Sequence, residues 1–364
     1  MMNCDILVIG TGSLSRVFCY AIALTFSESL KVCVIGRAKS SVDQVVTIAN
    51  ARSAAFLSKV TFTGDSIDWN SENDLIDKLA TYSPRLILQT ASLQSPWEFT
   101  GSESAWCSLI KRGGFGITLP LQAALVVRVA SLIKQTMPVE SILVNACYPD
   151  AVNPILSYLG LPIVCGAGNV GIISTLLKSL LNLDKTRQLQ VIAHHSHITN
   201  LVQNKKDHLT ELEGLRIWLD GQQFHQIDTL LDPIQSIKGE PLNQIVGCLS
   251  AEVVLALLGS SPVLTHVPGP NGLPGGYPAV LQGGKVEIAL PQNCTTAEAI
   301  ELNRRAAIEE GVEVIDRGGF IRWDSRASEV IKQYAPSLAE GFHAKDLQIV
   351  CQEFIELRNR LRQE

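Results

Sequence analysis

Short apolar runs alternate with helix-like stretches over the first part of the chain. Asp5-Ile-Leu-Val-Ile-Gly10 is a continuous apolar run of strand length, the pattern of a strand covered on both faces. A glycine-rich turn follows, then a helical stretch from about Ser15 to Phe26. Lys31-Val-Cys-Val-Ile35 repeats the buried-strand pattern. The spacing next predicts a helix over 42–57 and a weaker strand over 59–63. Leu86-Ile-Leu-Gln89 is a fourth strand, and residues 110–116 are basic and glycine-rich. A long helix is predicted over 119–134, a fifth strand at Ser141-Ile-Leu-Val-Asn145 and a sixth at Leu161-Pro-Ile-Val-Cys165. Strands alternating with helices in this way imply a parallel sheet with helices on both faces.

After Gly168 the rhythm changes. A helix over 172–181 precedes a strand over 189–193, and residues 243–258 form an alanine- and leucine-rich helix. A Gly/Pro loop at 268–277 leads into strands at 277–281 and 285–290, a hairpin across Gln282-Gly-Gly284. Thr295-x-x-Glu298 has capping-box spacing and opens a helix over 296–309. The expected fold class is α/β: an N-terminal Rossmann parallel sheet in residues 1–168, an α+β substrate domain in 169–315, and a polar, helical C-terminal extension in 316–364.

Composition narrows the class. The 364 residues are 46% hydrophobic and 18% charged, with a net charge of −5 and no long run of one sign. That is a globular chain able to bury a sizeable core, with nothing that suits a nucleic-acid partner. Nine scattered cysteines without a CxxC pair read as small buried hydrophobes in a reducing cytosol, not as a disulfide framework or a zinc site. No signal peptide and no membrane-length apolar run are evident, so a cytoplasmic protein with no membrane partner is expected. A homodimer is an assembly open to it.

The first strand ends in Gly10-Thr-Gly-Ser-Leu-Ser15. Glycines at the first and third positions allow a tight turn and close approach of a pyrophosphate to a helix N-terminus. Ser15 stands where a third glycine is usual. Gly10, Gly12, Ser13, Leu14 and, after the fourth strand, Ala91 are the candidate cofactor contacts. The second strand ends in Gly36-Arg-Ala-Lys-Ser-Ser41, without the acidic residue that would hold the ribose hydroxyls of NAD. Arg37 and Ser41, with Lys39 and Ser40, suit the 2′-phosphate of NADP, with NAD as the other candidate.

The order of later motifs resembles the lactate/malate dehydrogenase superfamily over roughly residues 4–312. Gln122-Ala-Ala-Leu-Val126 is similar to the family's helix after the active-site loop. Val144-Asn-Ala-Cys-Tyr-Pro-Asp150 resembles its Asn-Pro-x-Asp segment, and Gly160-Leu-Pro162 and Gly166-Ala-Gly168 follow in order. Val191-Ile-Ala-His-His-Ser-His197 resembles the strand end carrying the catalytic histidine, with His195 as the match. Val246-Gly-Cys-Leu-Ser-Ala251 resembles the active-site helix, and Tyr277-Pro-Ala-Val-Leu281 with Gly283-Gly284 the closing hairpin. The resemblance implies hydride transfer with His195 as proton donor and Asn145 orienting the substrate or nicotinamide.

The departures are as informative. The family's histidine-orienting aspartate and its substrate-clamping arginine fall near Ile172 and Thr175 here. Simple 2-oxo acids are therefore poor substrate candidates. Lys111 or Arg112 could supply a cation, and Tyr148 or Cys147 could replace the acid–base partner. Trp97, Phe99 and Trp106 either favour a larger, less polar substrate or only pack the loop. Strand alternation would put His195 and His197 on one face and His194 on the other. The expected function is an NADP-dependent reductase acting on a carbonyl or imine of a small molecule. The alternatives are a dinucleotide-binding protein without turnover, and an NAD- and metal-dependent glycosidase-like hydrolase using Cys165 and His195. In the leading reading no metal is required.

Overall fold

The computed structural model describes residues 3–25, 29–98, 103–137, 141–184, 186–202, 215–225, 237 and 239–364. Its N-terminal half is built from β1 (Ile6–Ile9), α1 (Ser13–Ile22), β2 (Lys31–Gly36), α2 (Lys39–Ala55), β3 (Thr61–Ser66), α3 (Glu72–Tyr82) and β4 (Leu86–Gln89). Then come α4 (Ala105–Gly113), α5 (Leu119–Thr136), β5 (Ile142–Asn145), α6 (Pro149–Tyr158) and β6 (Cys165–Gly166). The six strands form one sheet in the order β3-β2-β1-β4-β5-β6, and every pairing is parallel. The order reverses between β1 and β4, which opens a crevice beyond their carboxyl ends. All four residues of β1 and of β4 are buried, as their unbroken apolar pattern requires.

Several boundaries differ from the sequence reading. α1 starts at Ser13, so the glycine turn is the helix N-terminus itself. α3 was not foreseen: it is short, and its start is fixed by the Ser71 side chain, which accepts from the Asp74 amide. The segment read as a basic glycine-rich stretch is largely the helix α4, broken by Gly114 at φ +99°. The sixth strand shrinks to two residues. The helical segment Phe115–Thr136 is, against expectation, long and apolar enough to cross a membrane, yet 89% of its apolar window is buried inside the protein. It serves as a core helix between the sheet and the C-terminal extension.

The second half carries α7 (Val170–Leu180), β7 (Leu189–Ile192), α8 (His195–Val202), β8 (Arg216–Leu219), β9 (Gln222–Gln223) and α9 (Leu242–Leu258). The hairpin strands follow as β10 (Val263–Pro268), β11 (Gly276–Gln282) and β12 (Lys285–Ile288), then α10 (Thr296–Ile308). Two antiparallel sheets result, β7-β8-β9 and β10-β11-β12, joined by a bridge between Ala193 and Gly276. The predicted hairpin turn holds Gly283 and Gly284 at φ +54° and +79°, a conformation glycine adopts at no steric cost. The capping box between Thr295 and Glu298 is present.

The extension is not only helical. β13 (Val312–Ile315), β14 (Phe320–Trp323) and β15 (Phe342–His343) form a third antiparallel sheet, with α11 (Ser325–Lys332) and α12 (Leu347–Leu361). This sheet straddles residue 316. Trp323, Phe354 and Leu361 share one hydrophobic core with Ile9, Leu121 and Ile155, so the extension packs on the face of the parallel sheet that α5 covers.

Candidate active site

At the crevice, Gly10 sits at φ +133°, and a Cβ there would lie 2.4 Å from Thr90 Oγ1. The turn therefore needs glycine for conformation and for space. Gly12 differs: a Cβ there would meet nothing within 4 Å. Open space thus lies over the N-terminus of α1, where backbone amides favour an anion. Ser15 is a fitting replacement for the third glycine. It is buried, and its hydroxyl lies 2.6 Å from that of Thr90, tying α1 to the end of β4. Ser13 Oγ accepts from Asn243 Nδ2 at 3.0 Å, which brings α9 onto the same turn. The Ala91 amide donates to Ile9 O at 3.0 Å, so Ala91 borders the turn, while Leu14 is half-buried in the first turn of α1.

Arg37, just past β2, is exposed and has no ion pair among the described residues. Ser41 is half-buried in the first turn of α2. Lys39 is engaged by Asp43, which leaves Arg37 as the freer cation.

The histidine cluster departs from expectation in a decisive way. β7 ends at Ile192, and His195 is the first residue of α8, so two-residue alternation does not apply to 194–197. Asp150 Oδ1 accepts the His195 amide at 3.0 Å, which places a buried carboxylate at the N-terminus of α8. His194 and His195 both approach one carboxylate, that of Glu310. His195 Nδ1 is 2.5 Å from Glu310 Oε1, and His194 Nδ1 is 3.8 Å from Oε2. His197 Nδ1 accepts the His194 amide at 2.8 Å, so this ring locks the local turn.

Glu310, at the turn between α10 and β13, is 2% exposed and fully engaged. Tyr148 Oη donates to its Oε2 at 2.8 Å and Thr199 Oγ1 to its Oε1 at 3.0 Å. Two glycines make room for its main chain. Gly116 donates to Glu310 O at 2.7 Å, and a Cβ at Gly114 would lie 2.4 Å from the Glu310 carbonyl. Phe115, between them, stacks on the His195 ring at 4.9 Å and 29°, while Tyr148 meets it edge-on at 5.2 Å. The His195 side chain keeps 19% exposure. Glu310 holds Nδ1, leaving Nε2 as the nitrogen available for proton transfer.

The electrostatics follow from this packing. Burial disfavours the His195 imidazolium, but the charge and hydrogen bond of Glu310 outweigh it and raise its pKa above the ordinary value. Burial also disfavours the Glu310 carboxylate, yet His195, His194 and Tyr148 more than offset that and lower its pKa to about 2. Burial lowers the pKa of His194, against the opposing pull of Asp150 and Glu310. Tyr148 is pushed well above the ordinary phenol range by burial and by Glu310, so it remains a donor. Burial raises the Cys147 thiol to about 12. The carboxylate paired with His195 Nδ1 is that of Glu310, to which Tyr148 also donates, while Cys147 Sγ lies 3.9 Å from Gln89 O.

Asn145 is fully buried and committed to the turn after β5. Its Nδ2 donates to Cys147 O at 3.1 Å and Asn153 Oδ1 at 2.9 Å, and its Oδ1 accepts the Cys147 amide at 2.9 Å. Orienting a substrate would require it to leave these partners. Trp106 is buried in the core, and Trp97 packs against the cluster around α7 and β7. These two rings pack the protein, while Phe99 lies outside the described residues. Lys111 and Arg112 are exposed in the last turn of α4. Ile172, at the family's aspartate position, is buried in the core. Cys165 is fully buried on β6, its thiol held neutral by burial, and among the described residues no group of three or more His, Cys, Asp or Glu could hold a metal ion.

Glu310 was missed because it lies 115 residues from His195, among other acids in Glu309-Glu310-Gly311-Val-Glu313. No local signal separates it from its neighbours: Glu309 stands just as close to the C-terminus of α10 and is exposed.

No family model and no curated protein matches the chain in sequence. Solved structures do match its fold. The lactate dehydrogenase from Eimeria maxima, solved with NADH and oxamate, superposes with a TM-score of 0.55 at 12% identity, over 84% of this chain and 93% of that one. The malate dehydrogenase from Cryptosporidium parvum gives 0.55 at 13% identity, over 85% and 97%. The minor L-lactate dehydrogenase from Enterococcus mundtii gives 0.51 at 15% identity, over 85% and 96%. The protein thus has the architecture of the lactate and malate dehydrogenases, a Rossmann sheet joined to smaller α+β sheets, and carries at His195 a carboxylate from its own C-terminal region.

Proposed function

We propose that this protein is an NADP-dependent oxidoreductase that reduces a carbonyl or imine, with His195 as proton donor and Glu310 as the residue that orients and charges it. The observation that carries this reading is the 2.5 Å contact between His195 Nδ1 and Glu310 Oε1, in a fold whose glycine turn leaves Gly12 open. A dinucleotide fits the residues present. Gly10, Gly12, Ser13 and Leu14 would take its pyrophosphate at the start of α1, with Ala91 bordering the turn and Arg37 and Ser41 nearest its ribose. When bound, the nicotinamide supplies the hydride.

The chain supplies the proton. Glu310 accepts from Nδ1–H of the imidazolium, which fixes the ring and leaves the Nε2 proton for the substrate oxygen or nitrogen. Tyr148 and Thr199 hold the carboxylate in place, so it need not reorganise as the ring changes charge. With no guanidinium at Thr175, a substrate other than a simple 2-oxo acid is favoured. Nine free thiols, most of them buried, accord with a cytoplasmic setting.

The test is NADPH oxidation against a panel of ketones and imines. Dinucleotide binding without turnover on any of them would favour a binding protein. Cofactor choice has its own test. NADPH should bind more tightly than NADH, and Arg37→Ala should weaken NADPH alone by about tenfold or more, since a charged hydrogen bond contributes roughly 1.5–3 kcal/mol. Equal affinities for the two cofactors in the unaltered protein would count decisively against NADP.

A further inference from the structure

We propose that the C-terminal helix α12 latches the segment after β4 against the dinucleotide turn, with Arg358 and Arg362 as positioning residues for that site. This rests on the cofactor reading above. Thr90 and Ala91 both donate their amides to Ile9 O at 3.0 Å, so the chain leaves β4 directly against Gly10. A Cβ at Gly10 would lie 3.1 Å from the Ala91 amide nitrogen, so a small shift of Ala91 changes the wall of the crevice.

From Ala91 to Glu98 the segment has no strand or α-helix of its own. It is held by its neighbours. Leu93 donates its amide to Leu121 O at 3.0 Å, and Gln122 Nε2 donates to Gln94 O at 2.9 Å, both from α5. The other side belongs to α12. Arg358 donates from Nη1 to Leu93 O. Arg362 donates from Nε and Nη2 to the two oxygens of Glu98, each at 2.6 Å, a paired geometry that fixes direction as well as distance. Glu98 Oε2 also accepts from Gln94 Nε2 at 2.8 Å, which carries the grip back along the segment.

Arg362 caps the C-terminus of α12 in helical conformation, four residues after Arg358 and so on the same side. Arg358 Nε is buried without a hydrogen-bond partner, a cost tolerated while Nη1 holds Leu93. At the other end of α12, Gln348 Nε2 donates to Ala124 O at 3.2 Å, so the helix bearing the arginines is itself anchored. Helix α12 thus bridges α5 and the segment, and sets how closely Ala91 lies to Gly10.

Amide hydrogen exchange of residues 91–98 and NADPH titration test this on the full chain. The variants are Arg358→Ala, Arg362→Glu, and Arg362→Glu combined with Glu98→Arg. Both single variants should exchange faster in 91–98 without cofactor. They should also bind NADPH more weakly, by about tenfold for the half-buried Arg358 and about threefold for the more exposed Arg362. The double variant should restore both in part, since it remakes the paired bridge but not the hydrogen bond from Gln94, and even a partial rescue is one that a purely packing role for α12 would not produce. Unchanged exchange in both single variants, or faster exchange with unchanged NADPH affinity, would overturn the proposal. If Arg358→Ala does not fold, the Arg362 pair decides alone. If the unaltered protein binds no dinucleotide, the cofactor reading fails by itself, and the exchange rates still decide whether the latch exists.

Discussion

Glu310→Gln is expected to lower the turnover of a carbonyl or imine substrate by about 10²–10⁴-fold at neutral pH, with NADPH affinity retained. General acid catalysis is typically worth about that factor. The substitution keeps the size of the side chain and an acceptor for Tyr148, so the fold should persist. It removes the charge that makes His195 an acid. His195→Asn should lose a similar factor, and the double variant little more, because the two residues act as a unit.

The pH dependence gives a separate reading of the same pair. Glu310 raises the His195 pKa above the ordinary imidazole value of about 6.5. The reductive rate should therefore hold through that pH and fall only as pH rises through the raised value. In Glu310→Gln, burial is opposed only by the charge of Asp150, and the fall should move to lower pH. Stability follows the same signs. The His195 contribution is complete below the unfolded imidazole pKa and is lost as pH rises through the folded one. The Glu310 contribution is present above the unfolded carboxylate pKa, about 4.3, and is lost as pH falls toward about 2. Thermal unfolding across pH 2–9, compared with Glu310→Gln, would display both limbs. An unaltered rate and pH profile in that variant would remove Glu310 from the mechanism.

Gly12→Val is expected to abolish dinucleotide binding while the protein stays folded. The backbone at Gly12 has φ −71°, which any residue adopts, and an added Cβ meets nothing within 4 Å. The new side chain would occupy the space that a pyrophosphate needs above α1. Gly10 offers the contrast. A side chain there would strain a positive φ and strike Thr90, so Gly10→Val should damage the fold itself. Fluorescence titration of NADPH, with a melting curve for each variant, separates the two effects. Unchanged NADPH binding by Gly12→Val would sink the assignment of the glycine turn.

What could be read from the sequence was local. β1, β2, β4 and β5 were legible because strands buried on both faces are unbroken apolar runs, and the β11–β12 hairpin because two glycines mark its turn. The capping box at Thr295 and the glycine turn after β1 depend on residues only a few positions apart, so their spacing is enough. His195 could be named from its place after an apolar strand, but its surroundings could not. The change from strand to helix falls between Ile192 and His195, too short a span for any periodicity to register. The carboxylate at Nδ1 was beyond reach for a stronger reason. Glu310 meets His195 only because Gly114 and Gly116 admit its main chain beside α4, and because the C-terminal region packs α12 against α5 and α11 against α4. The sequence by itself determined the buried parallel strands, the hairpin and the glycine turn after β1, since hydrophobic period and turn chemistry act over a few residues. Only tertiary packing decided the partner of His195 and the grip of α12, since both join groups more than a hundred residues apart whose approach no local pattern encodes.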